Sequence, residues 1–539
     1  MSKKRRTSRR FSCILSITVK TELLERKKQH GMLSRIKSHG LNGIGGYAVQ
    51  VETDIANGLP GFEIVGLPDA AVKESRERVR AAIKNAGYIF PAARITVNLA
   101  PADMRKEGAV YDLPVALSIL AASGQLGAHT TPAFVTFGEL GLDGGVRPIA
   151  GVLPMVIDAF SKGETVFAVP EGNAEEAAYV EGIQVLPVST LAQLCDHVRG
   201  SAEITPHPTE RWQGYEQRYG TDFSEIKGQQ GAKRAAEIAV AGGHNILLIG
   251  TPGAGKTMLA RAIPSILPQL TYEESLEITK IHSITGATKG HGMVRERPFR
   301  APHHGASSAA LVGGGKSAMP GEISLAHYGV LFLDELPEFQ HNVLEALRQP
   351  LEDGFITVSR AAATATYPAE FVLVAAMNPC PCGNFGSKIH PCRCAKSQIE
   401  RYRGRISGPL MDRIDIQIEM PEVGFLELSE KAAGEPSAII RARVEKAREL
   451  QRKRFAEDGI LLNAQMSAKL IKRYCAPDPA SEQLLARAYA ELKLSARAYQ
   501  RILKVARTIA DVEGEEQIAL RHYAEAIQYR SLDQSGREA

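Results

Sequence analysis

Residues 250–257, Gly-Thr-Pro-Gly-Ala-Gly-Lys-Thr, constrain the fold of this chain more than any other segment. The pattern G-x-x-x-x-G-K-[ST] needs a strand before it and a helix after it, and the apolar residues 246–249 and 258–263 suit those places. In such a loop the backbone N–H groups wrap phosphates, Lys256 reaches the β and γ oxygens, and the Thr257 hydroxyl holds Mg²⁺. The residues predicted to contact a nucleotide are Gly250, Thr251, Pro252, Gly253, Ala254, Gly255, Lys256 and Thr257.

Two later apolar segments also end in polar residues. Residues 330–333 are followed by Asp334 and Glu335, and residues 371–376 are followed after one position by Asn378. Continuous apolar strands are typical of a parallel sheet covered on both faces. Asp334 would complete the Mg²⁺ shell, Glu335 would polarise the attacking water, and Asn378 would orient it. The alternatives are a surface strand that happens to end in acids and an Asn that serves a turn.

Two arginines are candidates for stabilising charge on a transferred phosphoryl group. Arg413 follows Ser-Gly-Pro-Leu-Met-Asp near the end of the predicted sheet, where an ion pair with Asp412 or Asp415 is the alternative. Arg497 lies on a predicted helix from which it could reach phosphates. Arg501, one helical turn later, is its rival, and a solvated basic face is the third interpretation.

Four of the seven cysteines form two Cys-x-Cys pairs, Cys380 with Cys382 and Cys392 with Cys394. An odd total argues against a disulfide scaffold, and in a reducing compartment four close thiols favour Zn²⁺, which thiolates bind in tetrahedral geometry. Cys-x-Cys is less usual than Cys-x₂-Cys, so unligated thiols and a redox switch remain open. His390 is a substitute ligand.

Taken together, these motifs resemble an AAA+ ATPase, and within that group the ComM/YifB family of Mg-chelatase-like proteins. The resemblance covers nearly everything from Met32 onward, and better-studied members resemble competence-associated DNA branch-migration helicases. It implies ATP and Mg²⁺ as cofactors and a homo-hexameric ring, because an arginine finger that acts on a neighbouring subunit requires one. The implied roles are Walker A for Lys256 and Thr257, Walker B for Asp334 and Glu335, sensor 1 for Asn378, the finger for Arg413 and sensor 2 for Arg497.

Composition divides the chain into five segments. Residues 1–31 are a basic extension, which we interpret as a mis-assigned start upstream of Met32, with a disordered tail as the alternative. The expected fold is α/β, an AAA+ P-loop core with a parallel sheet and a helical lid, preceded by an α+β domain. The remaining segments are an α+β domain at 32–200, a linker at 201–221, the ATPase core at 222–425 and a helical lid at 426–539, with predicted helices at 437–455 and 481–514.

The first domain resembles ribosomal S5 domain 2 and the Lon protease catalytic domain. Its sequence predicts strands at 40–53 and 94–99, helices at 69–83 and 112–126, and a turn at Asp143-Gly144. Lon-type peptidases need a Ser-Lys dyad, but Asp112 stands where the serine would fall and Leu153 where the lysine would fall. We therefore expect a non-proteolytic domain that is structural or engages DNA.

Two segments of the core are candidates for contact with DNA. Residues 295–322 resemble the helix-2 insert of the AAA+ branch that contains replicative helicases, and residues 355–368 predict a hairpin with Arg360 near its tip. Arg360 and Lys316 are expected to grip phosphates. His303 and His304 are expected to face the pore or to have a structural role, with metal ligation as the alternative. Ordinary surface loops would explain both segments equally simply.

The charge of the whole chain is a poor guide to its partners. The net charge is +5, but residues 1–31 hold ten Lys or Arg and two Glu, which leaves −3 for the other residues. Any nucleic-acid surface must therefore be local. No apolar run approaches the roughly 18 to 20 residues of a membrane span, so we expect a soluble, cytoplasmic protein with no membrane partner.

The function expected from these observations is that of an ATP-dependent hexameric DNA translocase or helicase. It would act on single-stranded or branched DNA and promote branch migration of recombination intermediates, as in natural transformation. The alternatives are the ATPase subunit of a magnesium chelatase and an AAA+ protein remodeller. Chelatase subunits are expected to resemble only residues 222–530 and to lack the first domain and the paired Cys-x-Cys.

Overall fold

The computed structural model describes residues 33–127, 132–212, 219–288, 292–315, 318–360, 363–387, 389–424 and 434–530. The chain forms two compact units, residues 1–211 with 283–293, and residues 212–282 with 294–539. The predictions for residues 1–31 and for Lys316 lie outside the described residues. No helix in the described part of the chain is long and apolar enough to cross a membrane.

The first unit is built on a mixed seven-stranded sheet in the order β3-β4-β2-β1-β5-β8-β9, with a separate small hairpin, β6-β7. The strands are β1 Ser34–Asn42, β2 Gly45–Ala56, β3 Gly61–Val65, β4 Arg94–Ala100, β5 Val135–Thr136, β6 Glu139–Leu140, β7 Val146–Arg147, β8 Val166–Pro170 and β9 Gln184–Val188. The helices are Ala70–Asn85, Asp112–Ala122, Val152–Ser161, Ala174–Ala178 and Leu191–Arg199.

Helix Ala70–Asn85 follows directly from its sequence. The Asp69 carboxylate accepts a hydrogen bond from the Val72 N–H at 2.8 Å, which caps the helix. Val72, Val79 and Ile83 share one face and are buried in the core of the unit. The helix predicted at 69–83 is therefore confirmed, with its end two residues later.

The predicted strand at 40–53 is instead an antiparallel hairpin of β1 and β2, with Asn42 opposite Gly45. The two turn residues are Gly43 and Ile44, and Gly43 takes the left-handed φ of 61° that suits glycine at the first position of a tight hairpin turn. The turn predicted at Asp143-Gly144 is confirmed between β6 and β7, which are antiparallel. The alternating pattern of residues 40–53 had been taken for a single strand, so the turn at Gly43-Ile44 was missed.

The second unit is built on a five-stranded sheet in the order β11-β14-β17-β10-β18, in which every neighbouring pair is parallel. Its strands are β10 Ile246–Gly250, β11 Phe299–Arg300, β14 Val330–Leu333, β17 Val372–Met377 and β18 Ile416–Met420. The three strands predicted from apolar runs are adjacent in its centre and almost wholly buried. This sheet confirms the predicted α/β core.

Helices and two small hairpins surround this sheet. The hairpins pair β12 Gly313–Gly314 with β13 Met319–Pro320 and β15 Phe355–Arg360 with β16 Ala363–Pro368. The helices up to residue 411 are Gln230–Gly242, Lys256–Ala262, Tyr272–Ile284, Ser308–Val312, Glu322–Leu325, His341–Ala346, Arg348–Asp353, Lys396–Arg403 and Gly408–Met411.

The C-terminal part of the second unit is helical. Its helices are Ser437–Arg454, Ala468–Tyr474, Pro479–Glu491, Ala496–Glu513 and Leu520–Gln528. The predicted helix at 481–514 is broken, because Lys493 has a φ of 48° and Ser495 caps a new helix by accepting from the Ala498 N–H. Apolar residues of these helices belong to the same buried cluster as the central strands.

Candidate functional site

The glycine-rich loop connects the end of β10 to helix Lys256–Ala262. Gly253 and Gly255 have left-handed φ angles of 81° and 90°, and a Cβ at either position would meet nothing within 4 Å. Only glycine adopts this backbone readily, and the absent side chains leave open space beside the loop. The Thr251 hydroxyl is buried without a hydrogen-bond partner among the described residues. These features fit a loop that receives phosphate oxygens.

Lys256 is the most tightly held side chain of the loop. Its Nζ donates to the Gly250 carbonyl at 2.6 Å, to the Thr251 carbonyl at 3.0 Å and to the Asn378 Oδ1 at 3.1 Å. Burial lowers the pKa of Lys256, and the carboxylates of Asp334 and Glu335 oppose that shift. The fold therefore brings Lys256 and Asn378 together from strands β10 and β17.

Thr257 and Asp334 form the second contact of the site. The Thr257 hydroxyl donates to the Asp334 Oδ2 at 2.9 Å. Adjacent ligands of an octahedral Mg²⁺, each at about 2.0–2.1 Å from the ion, lie about 2.9 Å apart. The two oxygens predicted to hold Mg²⁺ thus already have a suitable separation, so the residues fit the ion.

Glu335 lies at the same sheet edge with a side chain that is 52% exposed. Its Oε2 is 3.1 Å from the Nδ1 of His304. The His304 ring also lies 4.0 Å from that of His303 and meets Phe339 edge-on at 6.4 Å, both measured between centroids. His304 had been assigned to a DNA-facing loop, and its contact with Glu335 was missed because the two are 31 positions apart and no sequence pattern links them.

Arg413 is largely buried, and it contacts neither of the acids that the sequence offered as partners. Its Nη1 donates to the Pro409 carbonyl at 2.8 Å, and its Nη2 forms an ion pair with Glu352. Glu352 was not anticipated. It belongs to helix Arg348–Asp353, and only the fold brings it to Arg413.

Arg497 and Arg501 differ sharply in their surroundings. Arg501 forms an ion pair with the buried Asp415, whose other oxygen is 3.4 Å from His244 Nδ1. Arg497 is exposed, and its charge contributes to lowering the pKa of Glu352. The structure thus ties Arg501 into the core and leaves Arg497 at the surface, on the side of Glu352.

The four cysteines converge after β17. The Sγ atoms lie within 4.8 Å of one another, with Cys380 at 3.4 Å from Cys382 and 3.7 Å from Cys392. Thiolates around a tetrahedral Zn²⁺, each at about 2.3 Å, lie about 3.8 Å apart. The N–H groups of Arg393 and Asn384 lower the pKa of Cys382 to about 6. The donor set of Cys380, Cys382, Cys392 and Cys394 therefore fits zinc.

The loop that carries the cysteines lies against the glycine-rich loop. Gly383 has a φ of 81°, and a Cβ there would lie 2.7 Å from the Cδ of Pro252. Sequence reasoning had placed the cysteines between Asn378 and Arg413 along the chain but gave no sign of this contact.

The helix-2 insert and the hairpin β15-β16 are in direct contact. Arg360 donates from Nη2 to the Gly313 carbonyl at 3.2 Å, and the Tyr367 hydroxyl donates to the Ala318 carbonyl at 3.0 Å. Facing pairs of exposed hydroxyls run along the hairpin. They are Thr357 with Thr366 at 3.3 Å and Ser359 with Thr364 at 3.0 Å.

In the first unit, Asp112 and Leu153 are both fully buried. The Asp112 carboxylate accepts from Arg78 Nε at 2.7 Å and from the Leu140 N–H at 3.3 Å. Burial raises the pKa of Asp112 to about 6, against the opposing effect of Arg78 and the Leu140 N–H. These two positions hold an ion pair and an apolar residue, so they supply no Ser-Lys dyad.

Comparison with protein families agrees with this architecture. The family model described as magnesium chelatase, subunit ChlI, matches residues 222–428, and the one described as subunit ChlI C-terminal matches residues 434–530. A third model, described as subunit ChlI of Mg-chelatase, matches residues 51–173. The prediction that chelatase subunits resemble only residues 222–530 is therefore wrong, because the likeness extends into the first unit.

Individual relatives match over almost the whole chain. YifB of Escherichia coli K12 is 44% identical over 504 residues, which cover 93% of this chain and 97% of YifB. Competence protein ComM of Haemophilus influenzae is 44% identical over 504 residues, 93% of this chain and 98% of ComM. A magnesium-chelatase 67 kDa subunit of Chlorobaculum parvum is 28% identical over 163 residues, 29% of this chain and 23% of that subunit. The chain belongs to the YifB/ComM family of magnesium-chelatase-like AAA+ ATPases.

Proposed function

We propose that this protein is a homo-hexameric, ATP-driven DNA translocase that promotes branch migration of recombination intermediates. The observation that carries the motor part is the joining of Lys256 to Asn378 and of Thr257 to Asp334 at one sheet edge. The support for the DNA part is the 44% identity to a competence protein, together with the paired insert and hairpin.

The proposed hydrolysis assigns one task to each residue of the edge. Lys256 exchanges its carbonyl partners for the β and γ oxygens of ATP, and Thr257 and Asp334 hold Mg²⁺. An Mg²⁺ ion held by Thr257 and Asp334 would neutralise charge that develops on the phosphates. Glu335 polarises the attacking water, and the Asn378 amide keeps that water in line. His304, which contacts Glu335, sets where the carboxylate lies before ATP is bound.

The proposed ring follows from Arg413. Among the contacts of the described residues, Arg413 does not join the Lys256 cluster, so it serves the γ-phosphate of a neighbouring chain. An arginine finger of this kind is worth about 10³ to 10⁵ in rate. Arg497 is the proposed second cation for the phosphates, since Arg501 is held by Asp415.

The proposed DNA surface is the hairpin β15-β16 with the insert it contacts. Exposed hydroxyls of Ser359 and Thr364 and the guanidinium of Arg360 suit phosphate oxygens, which accept hydrogen bonds without regard to sequence. In this proposal Lys316, His303 and His304 lie on the same insert, and single-stranded or branched DNA is the partner.

We also propose a structural Zn²⁺ on Cys380, Cys382, Cys392 and Cys394. The support is the sulfur separation, which matches tetrahedral thiolate ligation. Metal content measured per chain should be close to one zinc ion and should fall to the background level in a Cys380→Ser, Cys394→Ser double variant. Purified protein without zinc, whose four thiols all react with a thiol reagent, would contradict the assignment.

A magnesium-chelatase ATPase subunit is the second candidate, because the three matching family models carry that description. The two functions separate in one experiment at a stated salt concentration, since DNA contacts weaken steeply with salt. Forked or single-stranded DNA should raise the ATPase rate, and the protein should move a branch point in a three-strand junction. Lys256→Ala should abolish both activities. If DNA does not change the ATPase rate at low salt, the DNA motor is refuted and the magnesium-chelatase ATPase subunit remains as the proposed function.

A further inference from the structure

The guanidinium of Arg413 is oriented from two sides. Its side chain is 10% exposed, its Nη1 donates to the Pro409 carbonyl at 2.8 Å, and its Nη2 pairs with Glu352. Each terminal nitrogen of arginine carries two protons. These contacts therefore use one proton on each nitrogen and leave a second on each, a fork that suits two oxygens of a phosphate.

Glu352 is an unusual partner for so buried an arginine. It lies near the end of helix Arg348–Asp353, and its side chain is 58% exposed. Asp415, two residues from Arg413, instead pairs with Arg501. A carboxylate that is largely in water adds little to folding stability. The pair therefore does more to fix the direction of Arg413 than to hold the core together.

Charge around Glu352 points to the same role. The hydrogen bond and the charge of Arg413 hold the pKa of Glu352 below its usual value, and the charge of Arg497 adds to this. One surface carboxylate thus faces both arginines that are proposed to act on phosphates. As an anion at neutral pH it can balance and direct these cations.

We propose that Glu352 is a positioning residue for ATP hydrolysis in the neighbouring subunit: with the Pro409 carbonyl, its carboxylate aims Arg413 so that the remaining N–H groups meet the γ-phosphate held by the next chain. This inference rests on the proposed function, in which Arg413 acts in trans. It extends that function to a residue outside every recognised motif. Glu352 itself touches no substrate.

The test uses mixed rings of the full-length protein. Glu352→Ala alone should lower kcat at least tenfold while the KM for ATP changes less than twofold, because the chain's own nucleotide loop is intact. Asp353→Ala, the adjacent surface carboxylate, is the matched control and should keep the wild-type kcat. Glu335→Gln chains lack the carboxylate proposed to polarise water, but they should bind ATP, enter rings and carry an intact Glu352 and Arg413. Adding them should restore activity to Glu352→Ala chains and equally to Arg413→Ala chains.

Each outcome of the mixing experiment decides a separate point. Rescue of Arg413→Ala without rescue of Glu352→Ala would overturn the role of Glu352 and leave the finger in place. Rescue of neither would overturn action in trans, and the role of Glu352 with it. A Glu352→Ala rate equal to or above wild type would show that the carboxylate restrains Arg413, which also contradicts the proposal. Glu352→Gln, of equal size, replaces the alanine variant if that one fails to fold.

Discussion

Arg497 and Arg501 lie one helical turn apart on helix Ala496–Glu513, yet they should respond to mutation in opposite ways. Burial alone would raise the pKa of Asp415, but the charges of Arg501 and His244 hold it well below its usual range. Arg501→Ala would remove the ion-pair partner of this buried carboxylate and leave it the Asn245 N–H and the charges of His244 and Lys504, so we expect a loss of about 3–5 kcal/mol in unfolding free energy. Arg497→Ala should change stability by less than about 0.5 kcal/mol.

Urea denaturation followed by circular dichroism measures both effects, and the ATPase rate separates the roles further. Arg497→Ala should lower kcat in a protein of wild-type stability. Equal stability of the two variants would mean that Asp415 finds another cation, and an unchanged kcat in Arg497→Ala would remove that residue from the proposed site.

Asp112 gives a prediction about pH. Its pKa is raised by burial to about 6 in the folded protein, whereas an unfolded chain has a pKa near 3.9. The folded state therefore binds this proton more tightly, so the contribution of Asp112 to stability is greatest below pH 4 and is lost as the pH rises through 6. The expected loss is about 3 kcal/mol between about pH 4 and pH 7, at about 1.36 kcal/mol per unit.

The measurement compares wild type with Asp112→Asn, which cannot ionise. Between about pH 4 and pH 7, the unfolding free energy of the variant should rise by about 3 kcal/mol relative to that of the wild type. A difference that stays constant over this range would mean that Arg78 keeps Asp112 ionised throughout.

At the residue scale, the motifs predicted which segments deliver polar residues to the sheet, and strand order turns them into contacts. Lys256 meets Asn378, and Thr257 meets Asp334, because parallel strands bring their C-terminal ends to one edge. The partners of Glu335 and Arg413 could not be predicted in this way. They come from segments without a motif, and only tertiary packing places His304 and Glu352 beside them.

At the element scale, the cysteine loop is placed to support the nucleotide loop. Gly383 packs so closely on Pro252 that a Cβ would lie 2.7 Å from the proline ring, which requires one of the loops to move. Gly383→Ala should therefore distort the glycine-rich loop and raise the Kd for ATP about tenfold. Gly386→Ala is the matched control. Gly386 has nearly the same φ, 80°, but nothing lies within 4 Å of a Cβ there.

Nucleotide affinity can be measured by titration with a fluorescent ATP analogue. Both alanine variants carry the same backbone strain, so any difference between them reports the contact with Pro252. Equal affinities in the two variants would show that the loops can separate at no cost to ATP binding.

Elements were predicted well where one pattern decided them and poorly where a local turn competed. The central strands of the second unit are apolar throughout, and they formed as expected. The alternating pattern across residues 40–53 fits one strand or two, and the turn at Gly43-Ile44 makes it two. Helical periodicity continues through residues 492–495, but Ser495 offers a cap that starts a second helix.

At the scale of the whole molecule, the chain joins a compact first unit to a second unit that contains the proposed site. The first unit also takes residues 283–293, which the sequence placed inside the ATPase core. In this stretch the Ser283 hydroxyl contacts the buried Glu176, which also accepts from the Leu153 N–H at 3.1 Å. A sequence pattern could not show that residues 283–293 belong to the first unit, because a polar contact between distant segments leaves no periodic signal.

Assembly of the whole molecule should depend on bound ATP if Arg413 reaches the nucleotide of a neighbouring chain. Glu335→Gln removes the carboxylate proposed to polarise water but leaves Lys256, Thr257 and Asp334 unchanged, so ATP should stay bound. With ATP and Mg²⁺ this variant should form particles of six times the mass of one chain in mass photometry. Lys256→Ala should remain in smaller species under the same conditions, because it lacks the contact to the β and γ oxygens. Glu335→Gln that stays monomeric with saturating ATP, with or without forked DNA, would refute the ring.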